Sequence, residues 1–338
     1  MPKLALPSEA ANILKLADWL EIYALISADG NSSRGDLEKA LRTSSVFESK
    51  GREAVEEVCI QVFLELELRA TAAGAAYPFL VGAGVLTSKT NRNDYIGYIF
   101  CLFLSYFRWS TDRNHEIPIN PWLLFEELSC IAATAFIDGE GVSFGTSRGN
   151  SAAAKAAFKK AIKDLCKKIG EGKDFKEQPV LNRQDDKVDL IVWRDFSDRK
   201  TSKLVMFGQC AAGDNWITKV AELQPGSFWR QWMVEARVSP HLRSFYIPHR
   251  VAIERWDFYA RKADILFDRC RVAFWAYRNN SAVLSNTNYT AWFTHILKTD
   301  IQGKTSARKP ASKKSAAKKA AAKKAAARKP TAKKARRR

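Results

Sequence analysis

Asp189 and Gln209 are the residues of this chain whose types and spacing point most directly to chemistry. A carboxylate and a carboxamide sit on two consecutive apolar segments of VDLIVWRDFSDRKTSKLVMFGQCAAGDNWITK, residues 188–219. Hard oxygen donors of this kind suit Mg²⁺ or Mn²⁺. An ion held there could deliver a water in line to a phosphodiester and balance the charge that develops under attack. The Cys210 backbone offers one more carbonyl to the same ion. The elements that must position these groups read as buried strands. Val188, Leu190 and Val192 alternate with Asp189, Ile191 and Trp193, and after a polar turn Leu204, Val205, Met206 and Phe207 run into Gly208-Gln209-Cys210-Ala211.

With the Lys-rich segment that precedes them, these two segments resemble the PD-(D/E)xK nuclease superfamily, most closely its Mrr-like restriction endonuclease domains. In those domains an Asp closes one strand and an (E/Q)xK triplet closes the next. The triplet here is Gln209-Cys210-Ala211, so its lysine is absent. The resemblance implies an α/β fold, a restriction-endonuclease-like mixed sheet flanked by helices, in αβββαβ order. Residues 141–145 would supply the first strand, and Phe125-Glu126 would match the start of the first core helix. It also implies metal ligands at Asp189, Gln209, Cys210 and Glu126, and a lysine migrated to the helix that begins near Asp214-Asn215. Lys219 is the first candidate for that lysine and Lys203 the second. The alternative for Lys219 is a surface helix lysine with no role in the site. Alanine in the triplet can neither polarise a water nor neutralise transition-state charge.

Charge divides the chain unevenly. Residues 304–338 hold 16 of the 55 Lys and Arg and none of the 36 Asp and Glu, which leaves the remainder nearly neutral although the whole carries +19. Basic pairs recur every five residues, at Lys313-Lys314, Lys318-Lys319, Lys323-Lys324, Arg328-Lys329 and Lys333-Lys334, before Arg336, Arg337 and Arg338. This tail resembles those of histone H1-like proteins. Without bulky apolar residues it cannot build a core, so it is predicted to be disordered in isolation. Its point charges read phosphate, not base edges, and DNA or RNA is the expected partner.

The remaining sequence bounds the organisation. A helix is predicted over 8–27 with Ser8 as its cap, a capping box at Ser33-Arg34-Gly35-Asp36, and a helix opened by Asn120-Pro121. Another is predicted over 151–169, closed by Gly170, with six lysines off its apolar face. Residues 62–68 alternate like a strand between helical flanks and are taken as helix. The expected domains are a mainly helical one at 1–112, a nuclease-like one at 113–302 and the basic tail at 303–338. A helical cap is preferred to a winged helix for the first. Six cysteines with no CxxC pair read as reduced core residues. With neither a leader-like start nor a spanning apolar run, they predict a cytoplasmic, nucleoid-associated protein that avoids membranes. His115, His241, His249 and His295 lack metal-ligand spacing, and the Gly-containing turns near 139–147 lack the lysine and serine of a P-loop. Trp216, Trp229, Trp232 and Trp256 are read as packing in preference to base stacking. Three functions remain: a Mg²⁺- or Mn²⁺-dependent DNA endonuclease of restriction or phage-defence type, an inactive DNA-binding or sensing module on the same fold, and an architectural DNA-binding protein. A homodimer and other defence-system subunits are the protein partners left open.

Overall fold

The computed structural model describes residues 4–7, 12–44, 51–107, 117–144, 152–177, 187–198 and 200–302. Ser8, most of the expected break at 112–118, His115 and the basic tail lie outside these residues.

Helix α1 (Ile13–Ile26) is capped by Asn12, whose side-chain oxygen accepts the N–H groups of Leu14 at 3.0 Å and Lys15 at 3.3 Å. A short strand β1 (Asn31–Ser33) leads into α2 (Arg34–Arg42), entered through the Ser33–Asp36 capping box that the sequence spells out. Helix α3 (Arg52–Ala73) resolves the alternating stretch. Val55, Cys59, Val62, Leu66 and Ala73 are buried at helical spacing, while Ile60, Leu64 and Leu68 face outward. Strands β2 (Phe79–Gly82) and β3 (Val85–Ser88) form a hairpin whose two turn residues, Ala83 and Gly84, have φ of 49° and 74°, the conformation that matches the twist of the flanking strands. They join β1 in an antiparallel sheet of order β1-β3-β2. The N-terminal part thus carries, among the described residues, a small three-stranded sheet beside its four α-helices. Helix α4 (Ile96–Tyr106) follows and is buried along its length.

Beyond residue 117 the elements are α5 (Pro121–Ile137), β4 (Glu140–Ser143), α6 (Ala152–Ile169), β5 (Leu190–Arg194), β6 (Leu204–Cys210), α7 (Trp216–Lys219) and α8 (Pro225–Trp232). Then come β7 (Leu242–Tyr246), α9 (Ile253–Ala263), β8 (Ile265–Phe267), α10 (Arg269–Tyr277), α11 (Asn280–Ser285) and α12 (Asn288–Ile296). Asn120 and Pro121 open α5 as expected, with the Asn120 side chain accepting from the Trp122 N–H at 2.9 Å. Gly170, at φ 73°, follows the last residue of α6. The five-stranded mixed sheet has the order β4-β5-β6-β7-β8. Strands β4, β5 and β6 pair antiparallel, whereas β6, β7 and β8 pair parallel.

Strand β5 is apolar on both faces because both faces are covered. Leu190, Val192 and Met206 pack into the large cluster that also contains Leu128, Phe100 and Val272. Ile191, Trp193, Val205 and Phe207 pack against Phe158, Ile162, Phe228 and Trp229 of α6 and α8. The large cluster draws side chains from both sides of the expected break, Leu16 and Phe103 as well as Leu190 and Cys270, so the helices and the sheet share one core.

A buried ionic network ties these parts together. Arg69 of α3 donates to Asp18 and Glu21 of α1, each at 2.8 Å, to Glu65 at 2.7 Å and to the Leu14 carbonyl. Arg269 of α10 donates to Asp18 at 2.7 Å, Glu21 at 3.4 Å, the Ser105 hydroxyl at 2.6 Å and the Pro248 carbonyl at 3.0 Å. The other Glu21 oxygen accepts the hydroxyls of Tyr77 and Tyr98, both at 2.8 Å. Burial alone would raise the Asp18 carboxyl, but the two guanidiniums more than reverse this and hold it well below the carboxylate range.

Candidate functional site

Asp189 stands immediately before β5 and Gln209 near the end of β6. Because these strands run antiparallel, with Leu190 opposite Gly208, a start and an end fall at the same edge of the sheet. The resemblance implies an Asp closing its strand; here it opens one, and the antiparallel pairing brings the two residues to the same end of the strand pair all the same. The Asp189 backbone is fixed from both sides. Its carbonyl accepts the Phe144 N–H at 2.8 Å, and its N–H donates to the Gly208 carbonyl at 2.9 Å. Its carboxylate accepts the Cys210 N–H at 2.6 Å, a short bond of the kind an ionised acceptor makes. Next to this bond, Gly208 lets Leu190 and Tyr246 pack closely over the strand: a Cβ there would lie 2.6 Å from the Leu190 side chain and 2.7 Å from the Tyr246 ring.

Gln209 is 4% exposed. Its amide nitrogen reaches Glu222 Oε2 at 3.4 Å, while its Oε1 is buried with no hydrogen-bond partner among the described residues. Such an oxygen typically costs ~1–3 kcal/mol unless something binds it. Glu222 also lies 4.0 Å from the ammonium of Lys187, two residues ahead of Asp189. Neither Glu222 nor Lys187 stands out in the sequence. They belong to loops, and only the folded chain brings them to the strand ends.

Glu126 lies on α5, whose Leu128 packs with Leu190 and Val192 against one face of the sheet, and whose last carbonyls, of Ile137 and Asp138, accept from Arg194 at the far end of β5. Glu126 is 4% exposed.

The triplet's third position is explained by packing. Ala211 is buried among Trp216, Val220, Phe245 and Ile247, so an ammonium there would be desolvated under α7. Helix α7 does fold over the end of β6, as expected. It leaves Lys219 half-buried, with no ion pair among the described residues and one turn ahead of Glu222, whose N–H bonds its carbonyl at 3.0 Å. Lys203 is elsewhere. It precedes β6 at the opposite edge, 3% exposed, with its ammonium 2.8 Å from Asp195, whose carboxyl this hydrogen bond lowers. It cannot serve Gln209 across the length of the strand. Cys210 presents its N–H, not its carbonyl, to Asp189. Of the four tryptophans, Trp216, Trp229 and Trp232 are buried in packing, and Trp256 lies under the Arg271 guanidinium at 4.4 Å.

Among the described residues no group of three or more His, Cys, Asp or Glu side chains is placed to hold a metal. The oxygen donors at this edge are mixed instead, with Gln209 Oε1 the one in want of a partner. That donor set fits a hard cation. On α6, Lys159 pairs with Glu177 and Lys163 with Asp174, whereas Lys160, Lys167 and Lys168 are exposed. The basic residues of the tail lie outside the described residues. No described helix is long and apolar enough to cross a membrane. In comparisons with protein-family models, curated proteins and solved structures, nothing matches this chain.

Proposed function

We propose that the chain is a metal-dependent DNA endonuclease built on a PD-(D/E)xK-like core. The observation that carries this reading is the meeting of Asp189 and Gln209 at one edge of an antiparallel pair, with the Gln209 oxygen buried and without a partner. The order α5-β4-β5-β6-α7-α8-β7 supports it, since α6 is an insertion into an otherwise αβββαβ series. Asp189 and Gln209 would hold Mg²⁺ or Mn²⁺, with Glu126 and the Cys210 carbonyl as further candidates. The ion would lower the pKa of a water and offset charge on the phosphate. The chain's own part is positional. The Cys210 N–H fixes the Asp189 carboxylate, burial fixes the Gln209 amide, and Lys219 of α7 would supply the positive charge toward a phosphate oxygen. The tail would hold DNA non-specifically and raise its local concentration at the site.

Plasmid cleavage with Mg²⁺ tests the reading. Asp189→Ala should lose cleavage by about 10³-fold or more, with DNA affinity nearly unchanged. Persistent cleavage in that variant would place the chemistry elsewhere. The absent triplet lysine favours the second reading, an inactive DNA-binding module, and the wild-type chain failing to cut plasmid or phage DNA with either ion would select it.

A further inference from the structure

We propose that the cavity between the end of α4, the start of α5 and the loops after β6 and β7 receives one nucleobase of a DNA strand. The base would stack on Trp122 and donate its amino group to His249 and Asp214. The inference rests on the endonuclease reading and adds a subsite to it.

The cavity measures about 240 Å³ and is lined by Leu104, Ser105, Trp122, residues 212–214 and His249. It lies outside the carboxyl ends of the parallel strands β6 and β7, the place where open α/β sheets hold ligands. It also adjoins the candidate cation site, because Ala212 is two residues beyond Cys210, whose N–H holds Asp189. Three features say what can enter. Trp122 is half-buried, and its indole has no ring, cation or hydrogen-bond partner among the described residues, so it is an unused aromatic wall. His249 is 8% exposed. Its Nε2 lies 3.2 Å from the Ala212 carbonyl, which can only accept, so Nε2 carries the proton and Nδ1 a lone pair. Burial, which lowers the pKa to about 4, keeps that lone pair free at neutral pH. Nδ1 has no partner among the described residues and is not sealed in, so the open space it meets is the cavity that its ring lines. Asp214 adds a carboxylate near enough to act on the charge of the imidazole. Among the described residues no lysine or arginine lines the cavity, and Ser105 Oγ is already engaged by Arg269 at 2.6 Å and the Leu102 carbonyl at 2.9 Å. Two acceptors with no cation repel a phosphate and call for N–H donors on a flat body. Adenine, cytosine and guanine carry an amino group of that kind, and thymine does not. A base reaches such a cavity only outside the helical stack, so the subsite favours single-stranded or opened DNA.

Deoxynucleosides titrated into the full chain, read by saturation-transfer NMR, test this directly, since without a phosphate they give the basic tail nothing to hold. Far-UV melting curves confirm that each variant folds. Deoxyadenosine, deoxycytidine and deoxyguanosine should bind, and thymidine should bind about 10-fold more weakly. Trp122→Ala should weaken all of them by roughly 10–100-fold, Trp122→Phe should restore most of the loss, and Asp214→Asn should close most of the gap to thymidine. No nucleoside binding, thymidine bound as well as the rest, or an unaffected Trp122→Ala would each overturn the proposal. Cutting of single-stranded DNA with Mg²⁺ separates the subsite from the reading beneath it. Trp122→Ala should slow that cutting by about 10-fold; lost nucleoside binding with unchanged cutting gives the cavity to a free nucleoside and overturns the DNA subsite. A chain that cuts DNA but binds no nucleoside loses the subsite alone. A chain that binds nucleosides as expected but cuts nothing keeps the base-binding cavity and loses the endonuclease reading.

Discussion

Around Arg69 and Arg269 each charged oxygen of Asp18 and Glu21 has a partner, whereas at the end of β5 and β6 the Gln209 oxygen has none. Both clusters are buried and polar, and both join parts distant in sequence. The first is saturated by the protein itself: two guanidiniums, two carboxylates and two phenols leave no valence open, which is how a buried network serves the architecture. The second keeps a donor in reserve. A saturated network holds the fold, while an unpartnered oxygen at a strand end is open to a ligand.

The sharpest way to break this contrast is to open the saturated cluster. Arg269→Met should cost about 3–5 kcal/mol by leaving Asp18 and Glu21 with an uncompensated buried charge, read from urea unfolding at neutral pH. A loss below about 1 kcal/mol would show that the network contributes little. Next in size is a pH effect at His249, beside the network and the chain after β6. Burial, with Lys15 and Arg269 adding to it against Asp214 and Asp18, lowers its pKa to about 4, and Nε2 lies 3.2 Å from the Ala212 carbonyl. The folded chain then binds fewer protons than the unfolded chain between pH 6.5 and 4. Stability should therefore fall as pH drops through that window, by about 3 kcal/mol. His249→Gln should flatten the slope there, and an unchanged slope would remove His249 as its cause. Smaller, and opposite in sign, is Gln209→Met, which removes the oxygen without a partner. It should stabilise the fold by ~1 kcal/mol while abolishing Mn²⁺ binding, and destabilisation would mean that the amide is part of the architecture after all. The smallest effect on stability belongs to deletion of residues 304–338. Unfolding should not change, but the slope of log DNA affinity against log salt, about −7 if half of the 16 basic residues meet phosphates, should largely vanish. A slope that survives deletion would assign DNA binding to the body, with the exposed α6 lysines first in line.

What could be read from the sequence followed the range of the forces involved. Local ones were legible: Asn120-Pro121 and Ser33-Asp36 announce helix starts through hydrogen bonds closed within four residues. The short apolar runs around Val192 and Phe207 announced the central strands because a strand covered on both faces is apolar at nearly every position. The sheet β1-β3-β2 was not legible. Asn31-Ser32-Ser33 has no apolar pattern, and the hairpin turns at Ala83-Gly84, a pair with only half the usual signal. At the site, Asp189 and Gln209 were found because each sits on a readable strand. Glu222 and Lys187 were not, since only the tertiary fold relates them, and Lys203 was misplaced because distance along the sequence says nothing of which end of a strand a side chain serves.

The bond between Asp18 and Arg269 spans 251 positions, and this has a consequence for the order of events during synthesis. Helix α1 emerges with two carboxylates destined for burial, and Arg69 arrives early enough to neutralise part of their charge. The second guanidinium is translated only after all five strands of the mixed sheet. Until then the N-terminal helices have no route to their final dry packing, and closing so long a loop is slow. The last step of folding should be the docking of α10 onto α1, so a nascent chain released before residue 269 would expose an acidic, partly apolar surface that chaperones recognise.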